Sequence, residues 1–301
     1  MRIGIFGGDV AGRGHIDEMA AHAAQVRADG FASYWVPQIF GVDALTALAV
    51  IGREVPDVEL GTAVIPTYPR HPMMLAAQAL TVQQLTGNRL ALGIGLSHQF
   101  VIEAMFGMSF AKPVGHMKDY LAILGPLLHG EAVKHTGTHL STHGGVAIPD
   151  AAAPPVLVAA LGTQMLRLSA RHAEGTITWM TGPSTLAEHT VPTIASAAKE
   201  AGRTAPRIVA ALPVCVTDDP DRAREVAAKA FSIYGELPSY RAMLDREGAS
   251  GPADVAIVGT VGTVTDGIAK VRDAGVTEFV AVEFGGADEQ RATRDLLTSL
   301  L

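Results

Sequence analysis

The sequence predicts an α/β fold, a single (β/α)8 TIM barrel. Three observations point to it: a length of 301 residues, an alternation of short β-branched runs with Ala-rich amphipathic stretches, and a count of eight such pairs. One barrel takes roughly 250 residues, which leaves room for an insertion. Hydrophobic residues make up 48% against 18% charged, enough apolar surface for one large core and too much for a disordered chain.

Strands are expected at Arg2–Phe6, Ala32–Val36, Val58–Ile65, Leu90–Ile94, Pro155–Ala160, Thr176–Trp179, Ile208–Val214 and Glu278–Val282, each followed by a helix. The helix ends carry their own signals. Asp43 stands before Ala44–Ile51, Pro72 opens Met73–Leu85 and Gly87 closes it, and Asp219-Pro220 begins Asp221–Phe231. Gly30, Gly202 and Gly275 end further Ala-rich helices. The rival architecture, a doubly wound open sheet, needs a glycine fingerprint that is missing. The first turn reads Gly4-Ile5-Phe6-Gly7-Gly8-Asp9-Val10-Ala11-Gly12, and Gly93-Ile94-Gly95-Leu96-Ser97 lacks a third glycine.

Between the fourth and fifth units, at about 130–149, the rhythm breaks. Glu131–His135 and Gly144–Ile148 flank a Thr/His/Gly segment and suggest a small hairpin inserted in one domain spanning 1–301. His135, His139 and His143 recur every fourth residue and would line one helical face as metal ligands. Gly137, Gly144 and Gly145 oppose that helix, so exposed hairpin histidines and no metal site are expected. Cys215 lies in the apolar run Ile208–Val216 and reads as inert core packing.

A formal charge of -7 with scattered Lys and Arg would repel a phosphate backbone, so nucleic acid is not an expected partner. No apolar run approaches the roughly 20 residues that span a bilayer, and Met1–Val10 reads as a strand rather than a signal peptide. No membrane association and a cytoplasmic location are expected.

In such a barrel the chemistry sits where strands end. Four junctions stand out. Trp35-Val36-Pro37-Gln38-Ile39-Phe40 places an amide beside an aromatic, although core packing is the simpler role for Trp35. Pro66 to Pro72 holds three prolines in seven residues, stiff enough for a cofactor shelf. Gly93-Ile94-Gly95-Leu96-Ser97-His98-Gln99 allows close backbone approach and then offers a hydroxyl, an imidazole and an amide. Ala159-Ala160-Leu161-Gly162-Thr163-Gln164 passes from strand to helix, whose first N–H groups suit a phosphate. A glycine at a strand end is by itself more often a tight turn than a site.

Taken together, Pro66–Pro72 closing in Arg70-His71-Pro72, then Gln84-Leu85-Thr86-Gly87-Asn88-Arg89-Leu90-Ala91-Leu92-Gly93-Ile94-Gly95, resemble the luciferase-like monooxygenase superfamily, and within it the F420-dependent oxidoreductase branch. Trp35–Phe40, Leu96–His98, Ala159–Gly162 and Thr176–Gly182 extend the resemblance over essentially the whole chain. It implies that the ring of coenzyme F420, a deazaflavin, lies across the C-terminal mouth with a non-prolyl cis peptide in the third strand behind it, matched here by Ala63 and Val64. By the same matching Gly95, Leu96 and Ser97 edge the ring. Ala160, Leu161, Gly162 and Thr163 receive the phosphate and ribityl tail, and Thr178 and Trp179 complete the pocket wall. A homodimer follows from the same resemblance.

The implied chemistry is hydride transfer at C5 of the deazaflavin to or from a small apolar substrate, with the protein supplying position and protons. His98 and Gln38 are the candidates near that face. His98 is a proton donor or a hydrogen-bond partner of a carbonyl, with a structural histidine or a plain ring contact as the alternative. Gln38 orients only. Relatives that oxidise alcohols or sugar phosphates carry an Asp-His type pair after the second strand, where this chain has Pro37-Gln38-Ile39-Phe40. That favours a reductase acting on C=C or C=N. Arg70 and His71 either contact the anionic tail or stabilise their own loop. Two alternatives remain: an FMN-dependent two-component monooxygenase, and a non-catalytic barrel.

Overall fold

The computed structural model describes residues 1–8 and 14–301. Its strands in chain order are β1 (Arg2–Phe6), β2 (Ser33–Val36), β3 (Glu59–Thr62), β4 (Ile65–Pro66), β5 (Leu90–Gly95), β6 (Val133–Thr136), β7 (Ser141–Gly144), β8 (Val156–Ala159), β9 (Gly175–Trp179), β10 (Arg207–Val216), β11 (Ile257–Gly259) and β12 (Glu278–Glu283). Eight of these run β1-β2-β3-β5-β8-β9-β10-β12, and β12 pairs back to β1, so the parallel sheet closes on itself. Helices alternate with the strands and cover the outside. Among the described residues no helix is long and apolar enough to cross a membrane. Asp9 to Gly12, the second half of the first glycine-containing turn, lies outside the described residues.

The end signals act as their chemistry requires. Asp43 accepts the Thr46 N–H at 2.9 Å and Asp219 the Arg222 N–H at 3.2 Å, each capping its helix. Gly87 closes Pro72–Thr86 at φ 65°, a left-handed conformation that side-chain-bearing residues rarely adopt.

Three elements depart from the sequence reading. The run Val58–Ile65 is split: Ala63 and Val64, joined by a cis peptide bond, separate β3 from the short β4, which pairs β5 at Ile65↔Ile94. The inserted hairpin is β6 with β7, so its second strand is Ser141–Gly144 rather than Gly144–Ile148. Asp119, on helix Pro113–Leu128, takes the N–H groups of His139 and Leu140 and so pins the hairpin tip near its middle. His135 Nε2 also meets Asp119, at 3.1 Å, while His143 lies opposite Lys134 across the hairpin. Among the described residues no cluster of three or more His, Cys, Asp or Glu is placed to hold a metal ion. Finally, the seventh unit carries a helical excursion, Ile233–Glu236 and Pro238–Glu247, and then β11, which pairs with the C-terminal end of β10.

The barrel interior is layered. At the N-terminal end the first residues of four strands, Ser33, Glu59, Arg207 and Glu278, meet in an ionic plug. Glu278 is fully buried and accepts from the Ser33 hydroxyl, the Trp35 indole N–H at 3.1 Å and Arg207. Above it Trp35 fills the middle with Ala91, Leu157, Ile177, Val209, Ala211 and Val280. The indole fits because Gly61 has no side chain: a Cβ there would stand 2.1 Å from Trp35 Cε3. Over this layer, at the C-terminal mouth, lie Phe6, Ala63, Val64, Ala159 and Trp179, all only partly buried.

Candidate active site

The floor of the mouth is built from small side chains. Ala63 and Val64 both pack on the interior cluster together with Ala159. Gly95 completes the surface: a Cβ there would lie 2.7 Å from Val64 Cγ2 and 3.2 Å from the Ala159 Cβ, so any larger residue would raise a bump. The result is a flat apolar shelf. It is braced from behind, since the Thr67 N–H bonds the Gly95 carbonyl at 2.9 Å and the Thr62 hydroxyl bonds the Gly93 carbonyl at 2.8 Å. Buried His116 faces the Thr67 hydroxyl at 3.1 Å and stacks on Tyr68 at 3.9 Å with planes 3° apart. Desolvation, together with nearby His139, lowers the His116 pKa to about 4.

Past Gly95 the chain turns at Ser97, whose φ of 61° is left-handed, and Leu96 packs against the outer core. Ser97 and His98 sit half-buried at the rim. The His98 ring lies 5.8 Å from that of Tyr240, and burial lowers its pKa, so the imidazole is neutral at pH 7.

On the next strand in the barrel, Ala160 is buried in the outer core, while Leu161 is half-buried and its carbonyl faces His189 Nε2 at 2.8 Å. Gly162 and Thr163 are exposed and open helix Thr163–His172, whose N-terminus has no side-chain cap. The helices after β2, β3 and β10 are capped by Asp43, His71 and Asp219. Free N–H groups at the Gly162 terminus therefore offer the anion-binding geometry of a helix start.

The end of β9 divides its two candidates. Ile177 and Trp179 face the interior, so alternation turns Thr178 outward, where its hydroxyl lies 3.5 Å from the Val209 carbonyl. Thr178 does not line the mouth. Trp179 does, stacked on Phe6 (6.5 Å, 18°) and met edge-on by Phe231 at 5.7 Å and Tyr234 at 5.8 Å. Tyr234 in turn meets Tyr240 at 5.0 Å. Phe6, Tyr68, Phe231, Tyr234 and Tyr240 escape the sequence reading. The available signal was three aromatic residues within ten, from Phe231 to Tyr240, in a chain only 5% aromatic.

Gln38 spends its carbonyl oxygen, and Arg70 and His71 their polar groups, on the scaffold. Gln38 Oε1 accepts the Ala44 N–H at 2.8 Å, adding to the Asp43 cap. Arg70 pairs with Asp43, and His71 Nδ1 accepts the Met73 N–H while Nε2 faces the Thr142 hydroxyl of the hairpin at 3.2 Å. Their geometry is that of loop stabilisers.

The donor set suits a planar, phosphorylated cofactor: an apolar shelf for the ring, polar Ser97 and His98 at its edge, and an uncapped helix start on the same rim. Tyr68 Oη and Trp179 Nε1 are sealed from solvent without a hydrogen-bond partner. Such groups are scarce in native interiors, and Trp179 borders the shelf.

The family model described as luciferase-like monooxygenase matches residues 1–278. A 5,10-methylenetetrahydromethanopterin reductase from Methanolobus tindarius is 26% identical over 92% of this chain and 93% of its own. Among solved structures, the coenzyme F420-dependent tetrahydromethanopterin reductase from Methanopyrus kandleri superposes with a TM-score of 0.82 at 21% identity, covering 99% of this chain and 97% of that one. An F420-dependent secondary alcohol dehydrogenase gives 0.83 at 16% identity, over 100% and 98%. At these identities the two structures speak for the fold, and the family match speaks for descent. The chain belongs to the luciferase-like monooxygenase family, as a (β/α)8-barrel oxidoreductase.

Proposed function

We propose that the protein is a coenzyme F420-dependent reductase that passes hydride from the reduced deazaflavin to a C=C or C=N bond of a small apolar substrate. When bound, the cofactor supplies the hydride. Ala63, Val64, Gly95 and Ala159 would carry its ring, Leu96 and Ser97 its edge, and Leu161, Gly162 and Thr163 its phosphorylated tail. Trp179 would wall the pocket, and His98 would face the substrate side, as hydrogen-bond partner when neutral and as proton donor when protonated.

The observation that carries the reductase direction is the state of the carboxylates at the mouth. Asp43 is held by Arg70, Glu283 by Arg294, Glu289 by Arg222 and Gly286 N–H, and Glu247 by two backbone N–H groups. Among the described residues none of these four is free to take a proton from an alcohol, as a dehydrogenase requires. The full-length similarity to a reductase supports the same direction. Homodimeric assembly and a cytoplasmic location complete the proposal, the former checked by sedimentation equilibrium.

The experiment is a stopped-flow mixing of the protein with reduced F420 and a panel of enones and imines, following oxidation of the deazaflavin. Oxidation that depends on both protein and acceptor supports the reading. Reduction of oxidised F420 by secondary alcohols with no oxidation of reduced F420 by any acceptor refutes it.

A further inference from the structure

The excursion Ile233–Glu247 brings to the mouth a wall that none of the expected site residues includes. It is firmly placed. Glu247 accepts the N–H groups of Ser184 at 3.0 Å and Thr185 at 2.7 Å, just after β9, and Gly182 lets it approach, since a Cβ there would meet Glu247 Cδ at 2.3 Å. Arg241 fastens the other side through the carbonyls of Ala249 at 2.6 Å and Ser250 at 2.9 Å. Side chains on this segment are therefore held in position relative to the shelf.

Two of them, Tyr234 and Tyr240, continue the aromatic series from Trp179 to His98, with successive ring centroids 5.8, 5.0 and 5.8 Å apart. Every contact in the series is tilted or edge-on, so rings rather than aliphatic groups shape this wall. Among the described residues the Tyr240 hydroxyl has no hydrogen-bond partner, and the residue is only partly buried. Burial raises its pKa, which keeps it a neutral donor. A donor with spare capacity beside an aromatic wall and a flat apolar floor calls for an acceptor on a flat molecule, and among the described residues Glu247, Glu283 and Glu289 are already paired, which favours a neutral one.

We propose that Tyr240 is the specificity-determining residue of the mouth, and that the wall it forms with Trp179, Tyr234 and His98 takes a neutral, planar, conjugated carbonyl compound whose oxygen accepts the Tyr240 hydroxyl. This deepens the reductase reading and rests on it for the reaction, but not for binding.

The test is calorimetric titration of the wild-type protein, alone and saturated with F420, with three bicyclic probes of similar size: α-tetralone, 1-decalone and tetralin. α-Tetralone binds tightest in either form. Y240F weakens α-tetralone five- to tenfold, the loss of one hydrogen bond, and leaves tetralin and F420 binding within twofold. Y240L weakens α-tetralone further and removes its advantage over 1-decalone. Equal binding of the three probes, an unchanged α-tetralone affinity in Y240F, or loss of F420 binding in Y240F overturns the proposal. A wild-type protein that binds the probes in this order but not F420 supports it and refutes the cofactor reading instead.

Discussion

The imidazole of His98 and the phenol ring of Tyr240 lie 5.8 Å apart, centroid to centroid, with planes tilted by 55°. His98 follows β5 and Tyr240 belongs to the excursion after β10, while β8 and β9 stand between those strands in the barrel. The pair therefore joins two sides of the mouth. It also places the half-buried imidazole next to an aromatic neighbour rather than a carboxylate, which is why burial governs its pKa.

Replacing His98 with Ala should lower kcat with reduced F420 by about 10²-fold or more if the imidazole supplies the proton, with F420 affinity changed less than threefold. Because burial lowers its pKa, the imidazolium that would donate the proton is scarce above pH 7, so kcat should rise as pH falls toward the lowered pKa, whereas a neutral imidazole that only donates a hydrogen bond leaves kcat flat there. A loss of F420 affinity at unchanged kcat would make it a ring contact.

The Gly95→Ala variant should weaken F420 binding at least tenfold and also lower the thermal midpoint, because the new methyl group, 2.7 Å from Val64 Cγ2 and 3.2 Å from the Ala159 Cβ, pushes the shelf residues apart. Fluorescence titration beside a melting curve separates the two effects.

Gln38→Leu removes the acceptor for the Ala44 N–H. It should cost about 1 kcal/mol of stability by urea unfolding and leave F420 affinity intact.

Breaking the ionic plug should be far more costly. Arg207→Met leaves fully buried Glu278 with only the half-exposed Arg2, 3.6 Å away, as guanidinium partner and should destabilise the fold by about 3 kcal/mol, read as a lower urea midpoint.

Acid sensitivity follows from His22 and His116, both lowered by burial to about 4. The unfolded chain binds their protons near 6.5 and the folded chain only near 4. Stability is thus full above 6.5 and declines as pH falls from 6.5 toward 4, with roughly 3 kcal/mol at stake for His116. His116→Gln should flatten the stability–pH slope in that window.

The barrel was legible because its determinants are local. Strand runs such as Leu90–Ile94, the Asp43 and Asp219 caps and the Gly87 stop act within a few residues of chain. Ala63, Val64 and Gly95 could be placed together only through the family resemblance, since their meeting depends on the pairing of β3 and β4 with β5. Thr178 was misjudged because a strand-end position does not say which face a side chain takes. Gln38 read as an orienting group and Arg70 as either a tail contact or a loop stabiliser, and their polar atoms reach Ala44 and Asp43. Tyr234 and Tyr240 could not have been assigned to the mouth: nothing local says that Ile233–Glu247 folds back toward β9, an outcome fixed by Glu247 capping Ser184 and Thr185.

The central claim is that this mouth holds a deazaflavin. Titrating the purified protein with F420 and, separately, with FMN, while following quenching of cofactor fluorescence, tests it most directly. The account predicts saturable binding of F420 at least tenfold tighter than FMN, weakened by Gly95→Ala. Preference for FMN would contradict it and place the protein among the flavin-dependent monooxygenases, and binding of neither would leave a barrel without this chemistry.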